Sequence, residues 1–326
     1  MEKLYAFGVD MGGTGTKFGV VDNNGIVLEW KTIKTPEYKT IESYVEALCT
    51  ECEAMAEKYG GVTNFRGLGM GAPNANFYNG TIEHAANLPW KGIVPVASLI
   101  EARLGIPCRI TNDVNAAAMG ELKYGAGKGM KNFIEVACGT GVGSGIIVDG
   151  KLVYGNDGFA GELGHTKVVQ GEAMELPRFG RIETRACGCG QQGCIECYAS
   201  ATGVARTAKM IVEKSDKPTL LRELDVNNIT SYDVYCAAEK GDEVAKEIFD
   251  LTGTLLGMKL ADWVAFSAPE AIILYGGLMK SGHWILEPIE KSLNEHVMPL
   301  WKNKVRVLFS GLKDSDVAIL GAASLV

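Results

Sequence analysis

The sequence has no surplus of positive charge: 32 Lys+Arg stand against 39 Asp+Glu, a formal net charge of −7. A nucleic-acid binder should carry a basic patch or excess, so no nucleic-acid partner is expected. No apolar run approaches the ~18 residues of a membrane span, and no membrane role is expected either. The opening stretch MEKLYAFGVDMGG has an early acid and no signal-type apolar core, which favours a cytoplasmic location. Histidine is scarce, with four residues, and His84, His283 and His296 lack metal-like spacing. The Gly-x4-Gly-Lys-Ser/Thr phosphate loop is missing. The nine cysteines are an odd number, so a fully paired disulfide framework is not expected and a reducing compartment fits better. Low-complexity linkers are also lacking.

Two features are abundant instead. Glycine reaches 41 of 326 residues, well above the average of about 7%. Four cysteines crowd into residues 187–197. The length is compatible with two domains at roughly 150 residues each. Apolar and charged fractions of 47% and 22% are those of a folded globular protein.

The pattern along the chain reads as α/β layers. Residues 4–9 form a buried strand, Asp10–Thr14 a glycine turn and residues 17–21 a returning strand; Asn23-Asn24-Gly25 then turns into IVLEW. Apolar residues at helical spacing predict a helix over 40–59 with Thr40 as N-cap and Gly60-Gly61 as stop. Strand 66–71, helix 95–104, strand 106–111 and helix 114–124 follow. Strand 133–138 runs into Gly139-Thr140-Gly141-Val142-Gly143, and Asp149-Gly150 marks a hairpin. FGVDMGGT at 7–14 and IEVACGTG at 134–141 share one pattern, which points to an internal duplication. The chain turns mostly helical from about 200 to 266. Strand 271–275 meets Gly276-Gly277; helix 284–298, strand 304–309 and helix 314–325 close it.

Several clusters could carry chemistry. In Asp10-x-Gly12-Gly13-Thr14-x-x-Lys17, a turn without β-carbons can aim N–H groups at phosphate, and Asp10 can hold Mg²⁺ through water. An acidic hairpin tip is the plain alternative. Gly139–Gly143 is weak alone, but paired with the first turn it can converge on one polyphosphate. Gly276-Gly277 lets a nucleotide lie against backbone. Thr111-Asn112-Asp113 ends a strand, where ligands bind in open α/β sheets. Asp113 suits a general base, although an Asx cap on the next helix explains the same residues. Cys187, Cys189 and Cys194 read as a zinc site, with Cys197 or His165 as the fourth ligand. Gly161-Glu162-Leu163-Gly164-His165 is uninformative by itself.

These pieces together resemble the ROK family of sugar kinases, and within it the bacterial glucokinases. The match rests on DMGGTGTKFGVV (10–21), NLPW (87–90), TNDVNAAAMGE (111–121), GTGVGSGII (139–147), GFAGELGH (158–165), CGCGQQGCIE (187–196) and LYGG (274–277). The resemblance implies a duplicated actin/hexokinase-like (ribonuclease H-like) α/β fold with ATP and sugar in an interdomain cleft. The expected domains are 1–116 plus about 312–326, and 117–311. It implies ATP-dependent phosphorylation of a hexose 6-hydroxyl, glucose first, with Asp113 as base. The related alternatives are kinases for N-acetylmannosamine, N-acetylglucosamine, allose, mannose or fructose; a sugar-sensing ROK protein is remote. Asn87, Asn112, Glu162, His165 and Glu196 become sugar ligands. Asp10, Gly12, Gly13, Thr14, Lys17, Thr140, Gly141, Gly276 and Gly277 become the ATP and Mg²⁺ region. His165, Cys187, Cys189 and Cys194 become ligands of structural Zn²⁺, leaving Cys197 a bystander. A homodimer or homotetramer is implied. Two departures stand out. The spacing from His165 to Cys187 is long, so 171–184 should be a loop that leaves the zinc site's ends in place. The family's usual Pro-Gly turn is Pro73-Asn74, which Asn can sustain at positive φ.

Overall fold

The computed structural model describes residues 4–313 and 316–326. In chain order the elements are β1 (Tyr5–Met11), β2 (Thr16–Asp22), β3 (Val27–Ile33), α1 (Ile41–Ala56), β4 (Phe65–Gly71), β5 (Ala75–Asn76), β6 (Thr81–Glu83), β7 (Ile93–Val94), α2 (Val96–Leu104), β8 (Cys108–Thr111) and α3 (Asp113–Tyr124). There follow β9 (Phe133–Cys138), β10 (Val142–Val148), β11 (Lys151–Leu152), β12 (Ala173–Leu176), β13 (Gly180–Glu183), α4 (Glu196–Ala199), α5 (Ala201–Lys214) and α6 (Ser231–Glu239). The last are α7 (Glu243–Ser267), β14 (Ala271–Tyr275), α8 (His283–His296), β15 (Arg306–Phe309) and α9 (Val317–Ala323).

The duplication is visible as two sheets of one topology. The first has the order β3-β2-β1-β4-β8 and the second β11-β10-β9-β14-β15. In each, an antiparallel meander leads into parallel strands reached through helices. By contacts the chain forms two compact units. One comprises Met1–Lys131, Gly145–Gly161 and Ser310–Val326; the other comprises Asn132–Ser144 and Glu162–Phe309. The 116/117 boundary expected from the sequence falls inside α3, a helix that this division leaves whole.

The first sheet is apolar on both faces because helices cover both. Phe7, Val9 and Met11 alternate toward the cluster that holds Tyr44, Leu48 and Cys52 of α1 and Ile100 of α2. Ala6 and Val21 face Ile319, Leu320 and Ala323 of α9. That helix sits close because glycines meet it: a β-carbon at Gly69 would lie 1.8 Å from the Ala322 carbonyl oxygen. Helix α1 starts as the sequence predicts, with the Thr40 hydroxyl accepting the Ser43 N–H at 3.2 Å. It ends at Ala56 rather than 59, where a 3₁₀ turn runs to Gly60 at φ 84°.

Two features were not foreseen, a short sheet and a hairpin, whereas the turn at Asn74 was. A short sheet, β5-β6-β7, lies within the stretch read as loop. Asn74 does take the left-handed conformation, φ 51°. The extra stretch 171–184 is a hairpin, β12 against β13, closed at its base by Thr184 N–H to Glu172 O at 2.9 Å. Arg178 at its tip pairs with Asp250 of α7. The helix expected over 314–325 is observed as Val317–Ala323; residues 314 and 315 lie outside the described residues. No helix among the described residues is long and apolar enough to cross a membrane.

Candidate active site

Strand register assembles the acidic end of the first unit. Parallel pairing sets Asp10 beside Gly71 and Gly71 beside Thr111. These are the carboxyl ends of β1, β4 and β8, where open α/β sheets place ligands. Asn112 then caps α3, its side-chain oxygen accepting the Val114 N–H at 2.9 Å. The cap expected of Asn112-Asp113 is present, and it places Asp113 at the start of α3. Gly71 leaves room for it, since a β-carbon there would sit 3.2 Å from the Asp113 Cα.

Asp10 and Asp113 are electrostatic neighbours. Desolvation, then the negative charge of Asp113, raise the Asp10 carboxyl to about 6, while Lys17 pulls it down. Lys17 is its cross-strand partner and also lies 4.6 Å over the Trp30 ring. Asp113 is exposed yet ringed by protein, and that desolvation holds its carboxyl above the usual carboxylate value; the Val114 N–H works the other way. Two carboxylates that repel one another and have only oxygen donors to offer suit a hard divalent cation such as Mg²⁺.

Between β1 and β2 the glycine turn is closed by Gly12 N–H to Gly15 O at 2.9 Å. Thr14 is exposed at its tip. Asn87 is brought to this turn. A β-carbon on Gly13 would meet the Asn87 carbonyl oxygen at 2.5 Å, so only glycine admits the contact. The flanking Leu88 and Trp90 are buried anchors. Trp90 donates through Nε1 to Tyr38 O at 3.2 Å, and Lys91 Nζ donates to the carbonyls of Ala86 and Leu88.

In the second unit the corresponding turn is closed by Gly139 N–H to Gly141 O at 3.0 Å. The N-terminus of α5 braces it: Ala201 N–H donates to Gly139 O at 2.8 Å, and the Thr202 hydroxyl donates to Thr140 O at 2.7 Å. Glu196 reaches the same turn, accepting the Val142 N–H through Oε2 at 2.9 Å. Its other oxygen lies 3.6 Å from Cys187 Sγ. Gly276 follows β14 at φ 105°, where a β-carbon would strike the Cys138 backbone, whereas Gly277 has open space.

His165, Cys187, Cys189 and Cys194 place their ligand atoms within 4.8 Å of one another. Cys189 Sγ to Cys194 Sγ is 3.8 Å, and Cys187 Sγ to His165 Nδ1 is 3.6 Å. A tetrahedron with ~2.3 Å Zn–S and ~2.05 Å Zn–N bonds has edges of about 3.8 and 3.6 Å. The donor set and spacing thus fit Zn²⁺. Cys197 is outside the group, its thiol directed to Ala186 O. His165 bridges two settings, since Nε2 lies 3.7 Å from exposed Glu162. The hairpin explains how a long insertion keeps His165 with the thiols: its ends meet.

The sequence reading missed the hydroxyl groups behind the first turn. Thr16, Thr35 and Tyr44 are each fully buried and linked in a chain. Nothing local announces them, because the residues come from three separate elements.

The family model described as the ROK family matches residues 6–326. The chain is 32% identical over 335 residues to a glucokinase of Halalkalibacterium halodurans, covering 100% of this chain and 96% of that one. It is 34% identical over 324 residues to a glucokinase of Streptomyces coelicolor, covering 98% and 96%. The crystal structure of a ROK family glucokinase from Streptomyces griseus, in complex with glucose and AMPPNP, superposes with TM-score 0.75 at 33% identity over 99% of both chains. The duplicated actin/hexokinase-like α/β fold is shared with these proteins. With the family model spanning nearly the whole chain and relatives above 30% identity matching over 98% or more of it, the chain belongs to the ROK family.

Proposed function

We propose that this chain, a ROK-family sugar phosphotransferase, is an ATP-dependent glucokinase that phosphorylates the hexose 6-hydroxyl. The observation that carries the reading is the Asp10–Asp113 carboxylate pair at the ends of β1 and β8, beside the glycine turn.

Phosphoryl transfer proceeds through a loose transition state, so positioning and charge neutralisation supply most of the rate. The sugar oxygen bonds to the γ-phosphorus, the bond from that phosphorus to the β-phosphate oxygen breaks, and ADP leaves. The hydroxyl proton passes to the Asp113 carboxylate. Asp113 need not ionise the alcohol beforehand; it accepts the proton late, from a hydroxyl held within ~3 Å. Asn87, Asn112, Glu162, His165 and Glu196 take sugar hydroxyls. The glycine turns at Gly12–Thr14 and Thr140–Gly141, with Lys17, hold phosphate oxygens, the Gly13 and Gly141 N–H groups among the donors. Gly276-Gly277 makes space for the rest of the nucleotide. Asp10 would hold Mg²⁺, which would supply neutralisation of phosphate charge. His165, Cys187, Cys189 and Cys194 would hold a Zn²⁺ ion as a four-ligand set, which would serve a structural role. His165 held this way would keep its Nε2 for the substrate.

Asp113→Asn should lower kcat by at least ~100-fold with sugar KM within about threefold, since only the proton acceptor is removed. An unchanged kcat removes Asp113 from this role. The substrate is tested by kcat/KM with ATP for glucose, mannose, fructose, allose, N-acetylglucosamine and N-acetylmannosamine. Glucose should lead; another sugar leading by tenfold or more would reassign the substrate within the same mechanism.

A further inference from the structure

The chain of buried hydroxyls under the first glycine turn has a direction. Thr35 Oγ1 donates to the Gly12 carbonyl oxygen at 2.8 Å. A hydroxyl has one proton, so at its 3.0 Å contact with Thr16 Oγ1 Thr35 must accept. Thr16 has then spent its own proton and must accept at its 2.9 Å contact with the Tyr44 hydroxyl. The polarity is therefore Tyr44 to Thr16 to Thr35 to Gly12 O. Burial pushes the Tyr44 phenol up, which keeps its proton in place as the first donor. All three side chains are fully buried, so no water competes for these bonds.

The consequence lies on the far side of one peptide. In a trans peptide the C=O and the following N–H point in opposite directions, and the chain has no cis peptide among the described residues. Drawing the Gly12 carbonyl into the core turns the Gly13 N–H outward. That N–H has no hydrogen-bond partner among the described residues. The second turn repeats the device with unrelated residues: the Thr202 hydroxyl holds Thr140 O at 2.7 Å, and Gly141 N–H likewise has no partner among the described residues. The two turns of the duplicated unit thus share one solution, a hydroxyl that pins a carbonyl so that the next amide faces away from it.

We infer that Thr35, backed by Thr16 and Tyr44, is a positioning residue that holds the Gly12–Gly13 peptide with its N–H presented to a phosphoryl oxygen. The inference rests on the kinase reading and adds residues that touch neither substrate nor nucleotide. A donor aimed in advance at developing phosphate charge stabilises the transition state more than the bound substrate. Its misalignment should therefore appear in kcat more than in sugar KM.

The test compares Thr35→Val, Thr35→Ser and Tyr44→Phe with the unaltered protein, each confirmed folded at the assay temperature by circular dichroism. Thr35→Val keeps the volume and loses the hydroxyl; kcat with ATP and glucose should fall about tenfold with sugar KM within ~twofold. Thr35→Ser should recover to within about threefold, and Tyr44→Phe, two links back, should lose ~2–3-fold. A second readout needs no turnover: the ¹⁵N–H resonance of Gly13 in glycine-labelled protein, titrated with inorganic phosphate. The shift should be present in the unaltered protein and Thr35→Ser and lost in Thr35→Val. If Thr35→Val does not fold, Thr35→Ser and Tyr44→Phe decide it: Tyr44→Phe with kcat and phosphate shift equal to the unaltered protein overturns the inference. So does an unchanged shift in folded Thr35→Val, or a kcat loss that serine does not recover. An unaltered protein that phosphorylates no sugar sinks the kinase reading, while the phosphate titration still decides the positioning role.

Discussion

Asp10 shows how a single residue can oppose stability. Its carboxyl is raised to about 6, by burial first and Asp113 second. An unfolded Asp titrates near ~4. The folded state therefore holds the proton more tightly, so this group's contribution to stability is full below pH ~4 and is lost as pH rises through about 6. Asp10→Asn removes a buried charge. Without Mg²⁺ it should raise the melting temperature at pH 8 by several degrees and change it little at pH 4, read by calorimetry at both values. If Asp10 holds the proposed cation, kcat should fall in the same variant. Residue type at short spacing singled out Asp10, Asp113 and the three cysteines, while His165 over Cys197 followed from the family resemblance. Neither could single out Thr35, whose partners Thr16, Tyr44 and Gly12 come together only through folding.

At the scale of elements, helix α9 and the β12–β13 hairpin make opposite predictions. Helix α9 approaches the sheet so closely that the obstacle to a side chain is backbone. A β-carbon at Gly69 would lie 1.8 Å from Ala322 O. Gly69→Ala should destabilise the first unit by about 2–3 kcal/mol or more, as forced overpacking does, measured as a lower urea midpoint. The hairpin's ends meet, Ala173 pairing with Glu183 at its base, and Arg178 at its tip pairs outside it with Asp250 of α7. Replacing residues 174–182 by Asn-Gly, a two-residue hairpin turn, should leave kcat and bound metal within about twofold of the unaltered protein. A lost metal would show that the hairpin shapes the Cys/His group. Strand and helix positions were readable from periodicity because a buried face repeats every two or 3.6 residues. The hairpin was not, as its sequence AMEL…GRIE is mostly surface and alternates weakly.

For the whole molecule, the sequence repeat at 7–14 and 134–141 corresponds to two sheets of the same order. Each ends in a glycine turn braced from beneath, by Thr35 in one unit and by Thr202 with Glu196 in the other. Glu196 also touches Cys187, so the Cys/His group and the second turn are one hydrogen-bonded body. Stripping metal with a strong chelator should lower the melting temperature and raise glucose KM together, followed by calorimetry and kinetics. Active protein that contains no zinc by elemental analysis would defeat the structural role.

Residue type and local spacing gave the α/β pattern, most elements and the candidate acids, thiols and glycines; the family resemblance supplied the duplicated actin/hexokinase-like fold. Those signals are short-range: a strand's alternation, a cap, a turn without β-carbons. What only the folded chain could decide was which groups share an environment. Parallel register placed Asp10 in line with Thr111, a hairpin's closure rejoined His165 to Cys187, and Cys197 turned to a carbonyl instead of the thiol group. Each of these depends on which groups from separate parts of the chain the fold brings into contact, and desolvation and hydrogen bonding follow from that contact.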